Sequence, residues 1–158
     1  RQWIVRGKLF AGTAFVLLFS MSFLVVMYFD FYNIYSKIKI VYLKKDNLMA
    51  MRELKKVSEQ DDLILADVFN SNMLPGIIVR RVFVGHGVET INFQQKLKTL
   101  NRFALSTDKD ERIAILKNNN IDWFFYDKSW NWSFNPDDDN FLKKVYERGG
   151  YKIYKVGL

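Results

Sequence analysis

The side chains able to do chemistry in this 158-residue chain are few, and their types narrow the possibilities. Cysteine is absent, which removes thiolate nucleophiles, thiolate metal sites and disulfides. The single histidine, His86, excludes a multi-histidine metal centre, and no carboxylate cluster at metal-ligand spacing replaces it. The remaining candidates are Asn70 and Asn72 flanking Ser71, the pair Arg80 and Arg81, Gly85-His86-Gly87 followed by Glu89, and the tryptophans Trp130 and Trp132. Guanidinium forks match phosphate oxygens, imidazole and amide groups bond phosphate or sugar hydroxyls, and indole faces stack on sugar rings. Such groups bind; they do not make a complete catalytic set, and no metal or cofactor is expected from them.

Each candidate also has a plainer reading. His86 is either a rim ligand or a turn histidine satisfied by backbone. Arg80 and Arg81 either meet a lipid phosphate or divide into a solvated residue and an ion pair, with Glu89 as a partner. Asn70, Ser71 and Asn72 are first of all helix-capping residues. Trp130, Trp132 and Phe134 stand in a polar loop, where they stack on sugars or dip into a membrane interface. Asp137, Asp138 and Asp139 lack further ligands at calcium-loop spacing and read as a solvated charge run ahead of a helix.

The elements that must position these groups follow from periodicity. Residues 46–60 read as an amphipathic helix capped by Asp46, with Leu48, Met51, Leu54 and Val57 on one face. Leu63–Ala66 is a short apolar strand. A short helix is expected over residues 73–78, with Pro75 in its first turn. Residues 82–84 form the next strand, 93–103 a helix capped by Asn92, and 108–118 another helix. Residues 121–126 form the strongest strand, 141–148 a helix stopped by Gly149-Gly150, and 151–156 a final strand. Helices alternating with single strands predict a small three-layer-like α/β domain with a mostly parallel sheet of about four strands. In such sheets ligands bind beyond the carboxyl ends of the strands, where 70–72 and 86–89 both fall.

Ahead of this domain, residues 9–29 carry no charge, a length sufficient for a helix crossing the roughly 30 Å hydrocarbon core. Tyr28, Phe29, Phe31, Tyr32 and Tyr35 gather at its far end like an interfacial belt. The expected organisation is a flank at 1–8, a transmembrane helix at 9–30, a membrane-proximal linker at 31–45 and an extramembrane α/β domain at 46–158. Arg1, Arg6 and Lys8 before the run, against Asp30 after it, predict the domain on the extracytoplasmic side, while Lys37, Lys39, Lys44 and Lys45 pull the other way. The formal net charge is +7, and the part after Asp30 holds 21 Lys and Arg against 16 Asp and Glu. Next to a membrane, that excess favours anionic lipid or a phosphate-bearing ligand; without a basic stripe interleaved with aromatics, nucleic acid is not an expected partner. The chain opens on Arg1, which is expected for a piece of a longer protein.

The stretch from Leu65 to Lys96, LADVFNSNMLPGIIVRRVFVGHGVETINFQQK, and the later ERIAILKNNNIDWFFYD and FLKKVYERGGYKIYKV resemble a known arrangement. Over residues 60–156 the pattern resembles the C-terminal extramembrane domain of GT-C membrane glycosyltransferases, which use polyprenyl-phosphate-linked sugars. The apolar run then stands in the place of the last transmembrane helix. The resemblance implies a lipid-phosphate-linked sugar donor and an upstream transmembrane bundle of the same protein as partners, besides membrane lipid. It implies a domain that caps the active site, with the catalytic carboxylate in an early external loop outside this chain. From the residues themselves, His86, Arg81, Arg80, Glu89, Asn72 and Asn70 are the expected substrate-binding residues. The alternative is a single-pass anchored α/β module that binds a ligand without catalysis.

Overall fold

The computed structural model describes the backbone of residues 2–41 and 43–158, and the side chains of 12–13, 15–32 and 43–158. Arg1, Arg6, Lys8, Lys37 and Lys39, on which the expected sidedness rests, lie outside the described side chains. The chain divides into two compact units, Arg1–Leu43 and Lys44–Leu158.

The first unit is one helix, α1 (Gln2–Val41). Within it Phe15–Tyr32 is long and apolar enough to span a membrane, with a mean hydropathy of 1.9 and none of the window buried. A helix apolar on every side is one that is surrounded by apolar material, hydrocarbon or the core of a large protein, and its internal backbone hydrogen bonding is what makes such a run tolerable in hydrocarbon. The Ser22 hydroxyl follows the same rule and donates to the Leu18 carbonyl one turn back. Tyr28 packs on Phe29 and Tyr32 at the far end of the run.

The second unit contains α2 (Lys45–Val57), β1 (Leu63–Ala66), α3 (Val68–Ile78), β2 (Arg81–Val82), α4 (Phe93–Leu105), α5 (Lys109–Asn118), β3 (Trp123–Asp127), a 3₁₀ turn (Pro136–Asp138), β4 (Leu142–Arg148) and β5 (Tyr151–Val156). The five strands form one mixed sheet in the order β2-β1-β3-β5-β4. Strands β1, β2 and β3 are parallel, whereas β5 runs antiparallel to both β3 and β4. One terminal helix and a small α/β domain are thus the architecture, with a sheet one strand wider and less parallel than the pattern predicts.

In-register residues Leu65, Phe124 and Tyr154 share one face of the sheet and are fully buried against Leu100 and Phe103 of α4 and Leu116 of α5. Their alternates Ile64, Ala66, Phe125 and Ile153 are buried on the opposite face, which α2 and α3 cover. Period-two burial on both faces explains why IDWFFY is apolar without interruption.

Three local expectations are corrected. Residues 141–148 are not a helix; they form edge strand β4 with only Leu142 buried in it. The reason lies in Gly149-Gly150, whose φ values of 56° and 89° are both positive. That pair makes the tight hairpin turn whose twist matches its flanking strands, and Arg148 pairs with Tyr151 across it. The second correction concerns α3. It begins at Val68, because the Asp67 carboxylate caps it by accepting from the Asn70 N–H. Asn70, Ser71 and Asn72 are therefore helical, and Pro75 is interior rather than in the first turn. Burial of Leu74 and Ile78 holds the helix through the proline. α2 likewise starts at Lys45, and Asp46 pairs with Arg148 at 2.7 Å instead of capping.

Candidate functional site

Three parallel strands present their carboxyl ends along one edge, so the residues that follow β1, β2 and β3 become neighbours. After β1 stands Asp67, 1% exposed, which also accepts from Asn70 Nδ2 at 2.6 Å. The same amide nitrogen lies 3.3 Å from Asp127, the last residue of β3. Asn47 of α2 donates to Asn70 Oδ1 at 2.7 Å, and the Ser71 hydroxyl donates to the Ala66 carbonyl. Asp127 accepts in addition from the Ser129 N–H and hydroxyl, both at 2.8 Å. The result is a buried Asn47–Asn70–Asp67/Asp127 network tying α2, α3, β1 and β3 together.

Burial raises the Asp67 carboxyl above the ordinary range; bonds from Asn70 oppose this, and the Asp127 charge adds to it. Tyr151, at the start of β5, is pushed up to about 12 by burial and by the nearby charges of Asp127, Asp67 and Asp46. Asp67 and Asp127 are enclosed and brace the edge from within. Sequence reading missed Asp67, Asp127 and Asn47. The signal was present for Asp67, since Asp three residues before Asn70 is an N-cap spacing. None existed for Asp127, which depends on strand pairing.

The loop after β2 is what the edge offers to solvent. Its His86 carbonyl accepts from the N–H groups of Glu89 and Thr90, and Thr90 Oγ1 accepts from the Gly85 N–H. His86 and Glu89 are exposed, as are Val88 at 90% and Ile91 at 81%. Asn92 adopts a left-handed conformation before α4 and makes no side-chain cap. Asn70 and Asn72 thus lie on α3, the helix that follows β1, with Asn70 buried and Asn72 exposed, and His86 and Glu89 lie in the loop that follows β2.

The arginines are elsewhere. Arg81 is in register with Leu63, at the amino end of the strands, and its guanidinium reaches the Asp61 carbonyl at 3.4 Å. Arg80 is committed to the end of α2: its nitrogens donate to the Ser58 hydroxyl and carbonyl and to the Lys55 carbonyl. Among the described residues, Glu89 forms no ion pair with either.

Trp132 is half-buried, donates from its indole N–H to the Asp127 carbonyl at 2.9 Å, and packs edge-on against Phe124, Phe103 and Phe134. Trp130 is half-buried in the same loop. The aspartate run that follows is not solvated as a unit. Asp139 is 4% exposed and receives two bonds from Arg112, at 3.0 and 2.7 Å. Asp137 accepts from Lys152 at 2.6 Å and the Tyr154 hydroxyl at 2.8 Å, and these bonds, with Lys152 foremost, lower it to about 2.

No family model and no curated protein matches the chain. Among solved structures it is similar to the crystal structure of the C-terminal globular domain of oligosaccharyltransferase from Archaeoglobus fulgidus, with a TM-score of 0.57 and 13% identity. The match covers 73% of this chain and 99% of that domain. At that identity the likeness is one of fold: the chain carries an α/β domain built like the C-terminal globular domain of an archaeal oligosaccharyltransferase.

Proposed function

We propose that this chain is the C-terminal portion of an integral-membrane glycosyltransferase that uses a lipid-phosphate-linked sugar. The observation that carries this reading is the conjunction of a membrane-length helix with an α/β domain whose fold matches that of the archaeal oligosaccharyltransferase domain. In this reading α1 is the last helix of an upstream transmembrane bundle, and the domain lies on the extracytoplasmic side. The carboxyl edge of the sheet caps the active site, with His86, Glu89 and Asn72 exposed to donor or acceptor. The Asn47–Asn70–Asp67/Asp127 network fixes that edge from behind. The catalytic carboxylate belongs to an external loop of the preceding bundle.

The test is sugar transfer from a synthetic polyprenyl-phosphate sugar by the complete reconstituted protein. His86→Ala is expected to lower kcat/KM for the donor about tenfold or more, the consequence of losing one charge-assisted hydrogen bond of roughly 1.5–3 kcal/mol. Arg81→Ala, at the opposite edge, is expected to leave transfer unchanged. Full activity of His86→Ala would refute the placement of this edge at the substrate. A complete protein without further apolar spans and without transfer would overturn the transferase reading in favour of an anchored binding module.

A further inference from the structure

A concavity lies on the other face of the sheet from the buried asparagine network. It is an open cleft of about 580 Å³ between the loop after β3 and the β4–β5 hairpin. One wall is aromatic: Tyr126, Trp132 and Phe134, with Tyr126 and Trp132 inclined at 32° and 5.8 Å between centroids. The other wall carries Glu147 and Lys152. Lys152 is held in place, 2.6 Å from Asp137 and 3.7 Å from Glu147, with its ammonium 5.9 Å from the Tyr126 ring centroid. Lys128 is exposed at the cleft and, among the described residues, has no ion pair.

We propose that this cleft binds a short saccharide, one or two sugar residues long. Its size falls within the roughly 300–1,000 Å³ of small-ligand sites. An aromatic wall receives the C–H face of a pyranose, and a fixed row of alternating cation and carboxylate supplies a donor and an acceptor to adjacent hydroxyls. A nucleotide or other phosphate ligand is disfavoured, since Glu147 stands in the wall and Lys152 is already neutralised by carboxylates. The wall is also preorganised. Trp132 is bonded to the Asp127 carbonyl, and Phe134 is stacked under the Arg112 guanidinium at 4.3 Å, so little ordering is left for a ligand to impose.

Saturation-transfer NMR on the full chain in lipid nanodiscs, free of sugar-headed detergent, decides the matter. The probes are methyl α-mannopyranoside and methyl N-acetyl-β-glucosaminide, with glycerol as a polyol lacking a ring. At least one glycoside should receive saturation on its ring protons well above glycerol. Tyr126→Leu should reduce that transfer about fivefold, the effect of losing roughly 1 kcal/mol of aromatic contact. Lys128→Glu, at an exposed position that leaves the core intact, should also reduce it, and Lys56→Ala on α2 should not. The Lys128→Glu result stands if Tyr126→Leu fails to melt cooperatively. Transfer no greater than glycerol for both glycosides, or transfer unchanged by Lys128→Glu, would overturn the proposal. It stands on the cleft alone; the donor-transfer assay tests the transferase reading separately, so the two fail independently.

Discussion

Replacing Asp139 by asparagine should destabilise the α/β domain far more than any change in a solvated acidic run would. Arg112 and Asp139 have side chains 6% and 3% exposed and are joined by two hydrogen bonds. Asp139→Asn keeps the shape and one acceptor but leaves a buried guanidinium without its countercharge. Removing one partner of a buried pair costs roughly 3–5 kcal/mol. The Ser106 carbonyl at 3.0 Å and the Phe134 ring remain, which places the expected loss at the lower end, about 3 kcal/mol. For a domain of this size that is a Tm lower by roughly 10–20 °C. The assay is thermal unfolding followed by near-ultraviolet circular dichroism, because the Phe103–Phe124–Trp132–Phe134 cluster lies beside the pair and reports its packing. The double variant Arg112→Met/Asp139→Leu should recover most of the loss, since apolar replacements of similar volume need no countercharge. A Tm for Asp139→Asn within about 2 °C of the parent would refute the reasoning and return Asp139 to the class of screened surface charges.

Acid should destabilise the domain partly through Asp137. Its folded pKa, about 2, lies below its ordinary value of 3.8, so its contribution is complete above pH 3.8 and is lost as pH falls toward 2. Asp67 acts in the opposite sense: its raised pKa gives a contribution present below 3.8 and lost as pH rises through its folded value. Tm measured from pH 5 to 2 should therefore fall less steeply for Asp137→Asn than for the parent, and parallel curves would dismiss the Asp137 contribution. Gly149→Ala should lower stability by about 1–2 kcal/mol from the left-handed backbone alone. A Cβ there would also stand 2.5 Å from Asp46 Oδ2 and push aside the Arg148–Asp46 pair; an unchanged denaturant midpoint would show that the hairpin turn relaxes freely.

Much of the architecture was legible in local sequence. A charge-free run long enough to cross a bilayer depends on composition alone, and α1 carries it. β1, β3, β5 and the helix α5 follow from short apolar runs and local helical patterning, all properties of neighbouring residues. That the chain leaves β1 and β2 from the same end of the sheet was also foreseeable, because the strands are parallel, but that Asn70 and Ser71 would be buried in α3 was not. What tertiary structure decided was every property that depends on a distant partner. Residues 141–148 have a helix-compatible sequence but become β4, since β5 offers a ladder of hydrogen bonds and Gly149-Gly150 closes the hairpin. Arg81 precedes His86 by five positions, yet strand register sends the two to opposite ends of the sheet. Asp137 and Asp139 are near neighbours in an acidic run, but one faces Lys152 and Tyr154 at the surface while the other is enclosed with Arg112, 27 residues away. Local sequence sets which backbone conformations are cheap; pairing and burial, which act between residues far apart in the chain, choose among them and fix which side chains meet.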